Sequence, residues 1–168
     1  MAIISHMDTQ QPPKHDSNEW RLLRNHMLER WVEDPVAIQW VLDYFDVCEL
    51  FDDLLDKDKA VSDARVQRAL WEALVDMPGN PFFLANAATL IPVISTGVNA
   101  YLDANTLESE PVDANLHFSY VMRAVYIAAL QAVVEITRGR DFMRSISVDI
   151  VRFFGSESYA QYLSLIHI

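Results

Sequence analysis

Two Asx-Pro pairs, Asp34-Pro35 and Asn80-Pro81, constrain this chain more than any other feature. Each sets a side-chain oxygen that can cap free backbone N–H groups just before a proline whose ring presets the first helical φ. Asp34-Pro35 predicts a helix running to about Lys57, and Asn80-Pro81 one over Phe82 to Leu90. Between Glu19 and Trp31, Trp20, Leu23, Met27, Leu28 and Trp31 recur at spacings of three and four, which makes an amphipathic helix. Ser62 caps a third helix through Val66, Leu70, Leu74 and Met77, ended by Pro78-Gly79.

Pro92 kinks or restarts the helical pattern, which continues to about Leu107, and 108–113 reads as a polar loop. Asp113 or Asn115 then opens a long helix to Arg138, closed by Gly139. A further helix over 140–154 stops at Gly155, and a short one follows over 158–166. No hairpin dipeptide separates alternating runs, and no repeat has a fixed period. These signals predict an all-α, single-domain bundle of six to seven helices. The segment from about Ala114 to Arg138 is apolar nearly all round between Val121 and Val134, which predicts the central helix of that bundle.

Residues 1–7 read as a cloning remnant with Met7 the natural start, and 1–18 as a disordered arm ahead of a bundle domain over 19–168. At 168 residues, 51% of them apolar, the domain can bury a core without disulfides. A formal net charge of −11 repels phosphate backbones and anionic lipid, so neither nucleic acid nor a membrane is an expected partner. No apolar run is expected to reach the length of a membrane span. The one cysteine, Cys48, permits no internal disulfide and fits a reducing compartment.

Chemistry concentrates between Asp43 and Asp58, where six Asp and one Glu interleave with apolar residues. On a helical wheel Ile38, Val41, Phe45, Cys48 and Leu55 mark an apolar side. Asp43 and Asp46 fall away from it towards solvent, and Asp53 lies at its edge. Asp52 falls near its middle, with Glu49 and Asp56 beside it; Asp52 and Asp56, four apart, stack on one face. Carboxylates converging where water is scarce need protonation, an internal cation, or a divalent metal. Glu49, Asp52 and Asp56 are thus candidate ligands for magnesium or manganese, which take oxygen donors and keep waters for a phosphate to displace. A solvated face or an internal salt bridge is the competing reading.

Arg123 interrupts the most apolar helix. It is either the counter-ion of the acidic cluster or a phosphate-binding group, and the structural ion pair is favoured because a buried Arg must find a partner. Asn99 and Asp103 are candidates from a facing helix, with Asp53 behind the ligands. His26 and His117 are isolated, which leaves a di-iron site unsupported. Gly97, inside a helical pattern, is placed to admit a close neighbour. Trp20, Trp31, Trp40 and Trp71 are core or interface anchors.

Asp52-Asp53-Leu54-Leu55-Asp56 resembles the aspartate-rich DDxxD motif of class I isoprenoid and terpene synthases, which implies that Asp52 and Asp56 hold magnesium bound to a diphosphate. Asn99 and Asp103 have the first spacing of that family's second metal motif, although Leu107 stands where its Glu would be. Glu49-Leu50-Phe51-Asp52 is similar to the ExxD pair with which all-α nucleoside-triphosphate pyrophosphatases bind magnesium. Over most of the chain, the run from Phe51 to Asp63, then Asn80-Pro81-Phe82, Asn99 and Met122 to Tyr126 resemble a group of small bacteriophage-encoded proteins. That resemblance implies a phage product in the cytoplasm of a bacterial host, or one associated with the virion. Two functions remain open at this point. One is metal-assisted chemistry on a diphosphate or nucleotide. The other is a non-enzymatic interaction module, such as an assembly accessory or an inhibitor of a basic host protein. Either form could be a homo-oligomer.

Overall fold

Both Asx-Pro pairs start helices through the bonds their chemistry offers. Asp34 Oδ1 accepts from the N–H groups of Val36 and Ala37 at 2.8 and 3.3 Å. Asn80 Oδ1 accepts from those of Phe82 and Phe83 at 2.9 and 3.3 Å. The Asn80 amide also donates to the Val36 carbonyl at 3.1 Å, which ties the two helix starts to each other. Ser17 and Ser62 cap two more helices through Trp20 N–H and Arg65 N–H.

The computed structural model describes residues 17–57, 60–110, 112–155 and 158–165; most of the arm expected over 1–18, and Asp58, fall outside them. The fold is all-α, and no strand occurs among the described residues. The helices are α1 (Asn18–Val32), α2 (Pro35–Asp56), α3 (Asp63–Trp71), α4 (Pro81–Glu108), α5 (Asp113–Arg123), α6 (Ile127–Arg138), α7 (Arg140–Phe154) and α8 (Tyr159–Leu165). A π-helical turn over Glu72–Asp76 and a last turn at Met77–Gly79 prolong α3. One 3-10 turn, Ala124–Tyr126, joins α5 to α6. Pro92 does not end its helix: α4 runs through it.

The core forms around α6, whose Ile127, Ala129, Leu130, Val133 and Val134 are buried. It packs against α1, α2, α4 and α7. From α1 come Trp20, Met27, Leu28 and Trp31, and from α2 Trp40, Val41, Tyr44 and Phe45. Trp20 stacks on Phe153 of α7 with ring centroids 4.7 Å apart, and Trp40 stacks on Tyr44 and Phe83. Each fully buried aliphatic side chain here contributes about 1.5–3 kcal/mol. The expected central helix over Ala114–Arg138 is therefore central only in its second half. In α5, Phe118 and Val121 stay exposed, because the 3-10 turn changes the helical phase and takes the first half out of the core.

Two helical stretches, Pro81–Glu108 and Asp113–Arg138, are long and apolar enough by length and composition to cross a membrane. This corrects the expectation that no apolar stretch reaches that length. From Pro81 to Leu102 no charged side chain interrupts the run, and between Phe118 and Val134 only Arg123 does. Most of the residues in these stretches are not buried inside the protein.

Gly97 of α4 is buried where α4 meets α2 and the 3-10 turn. A Cβ built there would lie 3.4 Å from the Tyr44 hydroxyl and 3.5 Å from Tyr126 Cα, at ordinary contact distance. An alanine fits this gap and removes the helical penalty of glycine, about 1 kcal/mol; a larger side chain has no room. Urea unfolding of Gly97→Ala should show stability equal to the parent or up to about 1 kcal/mol higher. Gly97→Leu should lose about 1–3 kcal/mol.

Candidate functional site

Arg123 closes α5 and gathers acceptors from two other helices. Its Nε donates to Glu108 Oε1 at 2.7 Å and its Nη2 to Glu108 Oε2 at 2.8 Å, a two-pronged bond that matches the planar guanidinium to the carboxylate. Nη1 reaches Asp52 Oδ1 at 3.1 Å, Nη2 reaches Asn105 Oδ1 at 3.0 Å, and Asp56 lies 3.7 Å away. The guanidinium sits 5.1 Å from the ring centroid of Tyr101, whose hydroxyl donates to Asp52 at 3.2 Å. Tyr101, Asn105 and Glu108 are spaced four and three apart, so α4 presents them as one line. Glu108 Oε1 also accepts from the hydroxyls of Ser119 on α5 and Tyr162 on α8, both at 2.6 Å. One carboxylate thus joins α4, α5 and α8, and one guanidinium adds α2.

The electrostatics follow from this crowding. Burial would raise the Glu108 carboxyl, but the bonds from Arg123, Ser119 and Tyr162 outweigh it and hold the group below the ordinary value of 4.5. Burial disfavours the Arg123 charge, and the Glu108 carboxylate overrides it, so the guanidinium holds its proton more firmly than usual. Asp52 goes the other way: burial and the neighbouring Asp56 raise it, against Arg123 and Tyr101. Burial, with Asp52 and Asp56, pushes Tyr101 up to about 12.

Of the residues singled out in the sequence, Asp52, Asp56 and Arg123 come together. Glu49 turns aside, is exposed, and pairs with Arg65 of α3 at 3.4 Å. Asp53 is half-buried, and Asn99 and Asp103 lie on the exposed face of α4. Among the described residues, no three His, Cys, Asp or Glu side chains group as the ligands of a metal ion would. Where Asp52, Asp56 and Glu108 approach one another, the Arg123 guanidinium stands between them. Glu108, one residue past the position the second metal motif would need, falls at the start of the expected loop, whereas α4 extends through it. Its signal was present: it falls three after Asn105 and seven after Tyr101. Cys48 is pushed up to about 11 by burial, against the hydrogen bond from Tyr44, and stays a thiol.

The rest of the acidic run corrects a second expectation. Asp43 and Asp46 do not face solvent. Asp43 is buried, accepts from Gln39 Nε2 at 2.7 Å, and is raised by that burial. Asp46 sits among Arg24 of α1 at 3.7 Å and Arg65 and Arg68 of α3 at 3.8 and 3.3 Å. Arg65 also donates to the Asp46 carbonyl at 3.1 Å, and Arg68 Nε to buried Glu72 at 2.6 Å. So α2 is covered on two sides, and the wheel that assigned one apolar side missed the second. Leu55, assigned to the buried side, is exposed with Phe51 and Leu54. An open cavity of about 410 Å³ lies beside Asp43, lined also by Gln39, Val75, Asp76, Gly79 and Asn80.

The helix that covers α2 is turned with its polar side in. Arg65 and Ala69 of α3, with Glu72 one turn on, face α2, while Leu70, Trp71, Leu74 and Val75 are 58, 63, 67 and 45% exposed. Trp71 alone of the four tryptophans lies at the surface. The π turn over Glu72–Asp76 widens the helix beneath these side chains. Such turns occur often at functional sites.

No family model, no curated protein and no solved structure matches this chain. The chemistry of the cluster itself can be tested. Glu108→Gln leaves Arg123 short of its main counter-ion and should cost about 2–3 kcal/mol at neutral pH. The parent's folded-state carboxyl lies below its unfolded value, so its contribution is full above pH 4.5 and fades as pH falls through the folded-state value. Chemical denaturation from pH 7 to pH 3 should therefore show the gap between parent and variant closing only at the acid end.

Proposed function

We propose that the chain is a non-enzymatic binding module, and that its binding surface is the outward apolar face of α3: Leu70, Trp71, Leu74 and Val75. One observation carries this reading: α3 points its charged side at α2 and its large apolar side chains at water. Exposed apolar side chains are ordinary one by one. Four together, including a tryptophan, make a patch of the kind that marks an interaction site. Trp is also the side chain most often found at the energetic centre of interfaces.

A net charge of −11 favours a partner whose apolar groove is bordered by Lys and Arg. The resemblance to small bacteriophage proteins supports a bacterial cytoplasm or a virion as the setting, and a host or phage protein as that partner. The ion cluster supports this reading from the other side. Arg123 already pairs with carboxylates of two other helices, which supports the joining of helices as the cluster's main task.

A second reading keeps the divalent cation and its diphosphate or nucleotide. Three carboxylates face one guanidinium, and Asp52 and Asp56 remain partly open to water. In that reading magnesium or manganese would neutralise the two remaining charges at Asp52 and Asp56.

The test is calorimetric binding to a partner captured from host lysate and then purified. Trp71→Ala should weaken binding roughly 30-fold or more while leaving the melting temperature unchanged. Millimolar magnesium should change neither affinity nor melting temperature. Unchanged binding by both Trp71→Ala and Leu74→Asp would remove the α3 surface. A magnesium-dependent rise in melting temperature that Asp52→Asn abolishes would transfer the assignment to the second reading.

A further inference from the structure

The outer face of α4 carries a pattern independent of the α3 patch. Leu84, Ala88, Ile91, Ser95, Val98 and Leu102 follow one another at spacings of 4, 3, 4, 3 and 4, and all six are exposed. That is the a/d pattern of a coiled-coil seam, continued through two and a half heptads and left exposed among the described residues. From Pro81 to Leu102 the helix contains no Asp, Glu, Lys, Arg or His, in a chain with 24 acidic residues. An uncharged strip is where two copies of so acidic a molecule can meet without like charges in contact.

We infer that α4 pairs with α4 of a second copy of this chain, antiparallel, about a twofold axis beside Val93. In that register Leu84 meets Leu102 of the second copy, Ala88 meets Val98, and Ile91 meets Ser95. Every layer sets a position of one class against its opposite, as antiparallel coiled coils require. Two of the three also set a small side chain against a large one, so the layers keep even thickness. A parallel register would stack Ala88 on Ala88 and Ser95 on Ser95, leaving gaps, and would oppose Asp103 to its own copy.

The antiparallel register also places exposed Asp103 opposite the first turn of the second copy's α4. The aligned peptide dipoles make that end positive, which favours a carboxylate. Because the interface is isologous, each favourable layer occurs twice. The seam is about 27 Å long, so the buried area falls at the low end for specific interfaces. Association is therefore concentration-dependent.

Sedimentation equilibrium between about 1 and 500 µM, the range a small interface requires, tests it. The parent should move from 19.2 kDa towards twice that mass. Ile91→Lys and Val98→Lys, at positions 54 and 52% exposed in the single chain, should stay at 19.2 kDa with unchanged helicity and melting temperature when dilute. In a Cys48→Ser background, Ala88→Cys/Val98→Cys should form a covalent dimer on mild oxidation, while Ala88→Cys alone should not. A parent that stays monomeric, a dimer that survives both lysine variants, or equal cross-linking by Ala88→Cys alone would overturn the pairing. So would a monomer held by phosphatidylcholine vesicles and released by Ile91→Lys, an outcome that gives the face to lipid. Trp71→Ala should leave the dimer intact, which separates this interface from the α3 surface; dissociation by that variant would overturn it as well.

Discussion

Everything at the α4–α5 end of this molecule depends on finding enough acceptors for one guanidinium. Arg123 closes α5 in a place where its charge is largely withdrawn from water. The fold answers with a two-pronged carboxylate from α4, an amide from the same face, and two aspartates from α2. Meeting that demand brings α4 and α5 together as a hairpin, docks α2 against them, and draws in α8 through the Tyr162 hydroxyl. Buried ion pairs are seldom the cheapest way to add stability. They are specific, however: a slipped register would strand Glu108 from Arg123 and lose four hydrogen bonds at once.

The same demand, met one to two turns earlier on α2, produces the unusual orientation of α3. Asp46 is answered by arginines of α1 and α3, and Glu49, one turn before Asp52, by Arg65 of α3. Drawing Arg65 and Glu72 inward necessarily rotates Leu70 and Leu74 outward, because residues on opposite sides of one helix cannot both face α2. Hydrophobic burial alone would have turned the helix over. The pairing of charge is thus what leaves an apolar surface for something else to cover.

How much of this was legible in the sequence follows from which signals are local. The caps at Asp34, Ser62 and Asn80 act within three residues, and those helix starts follow from them, whereas Ser17, which caps α1, falls within the arm expected over 1–18. Arg123 was read as needing an internal partner, and Asp52 and Asp56 as sharing a face. Both statements need only helical periodicity. The identity of the main partner was not legible, since Glu108 counts as a candidate only once α4 is known to extend past Leu107. The wheel of α2 failed for a different reason. It assumes one buried side, and this helix has two, the second created by a neighbour whose approach depends on charge rather than hydropathy. Whether α3 presents its apolar or its polar side cannot be decided from α3 alone.

The two kinds of contact in this protein respond oppositely to ionic strength, and that difference links its stability to its assembly. The Arg123–Glu108 pair is partly buried, at 18 and 14% side-chain exposure, and salt screens such pairs weakly. The repulsion between two chains of charge −11 acts through solvent, over distances that about 0.1 M salt already cuts to roughly 10 Å. Adding salt should therefore leave the closed end of the bundle intact while removing the main obstacle to contact through the uncharged face of α4. A fold closed by charge and a surface left apolar can in this way be tuned separately. Such a division requires the acids to be spent on α2 and kept off α4, and between Pro81 and Leu102 they are.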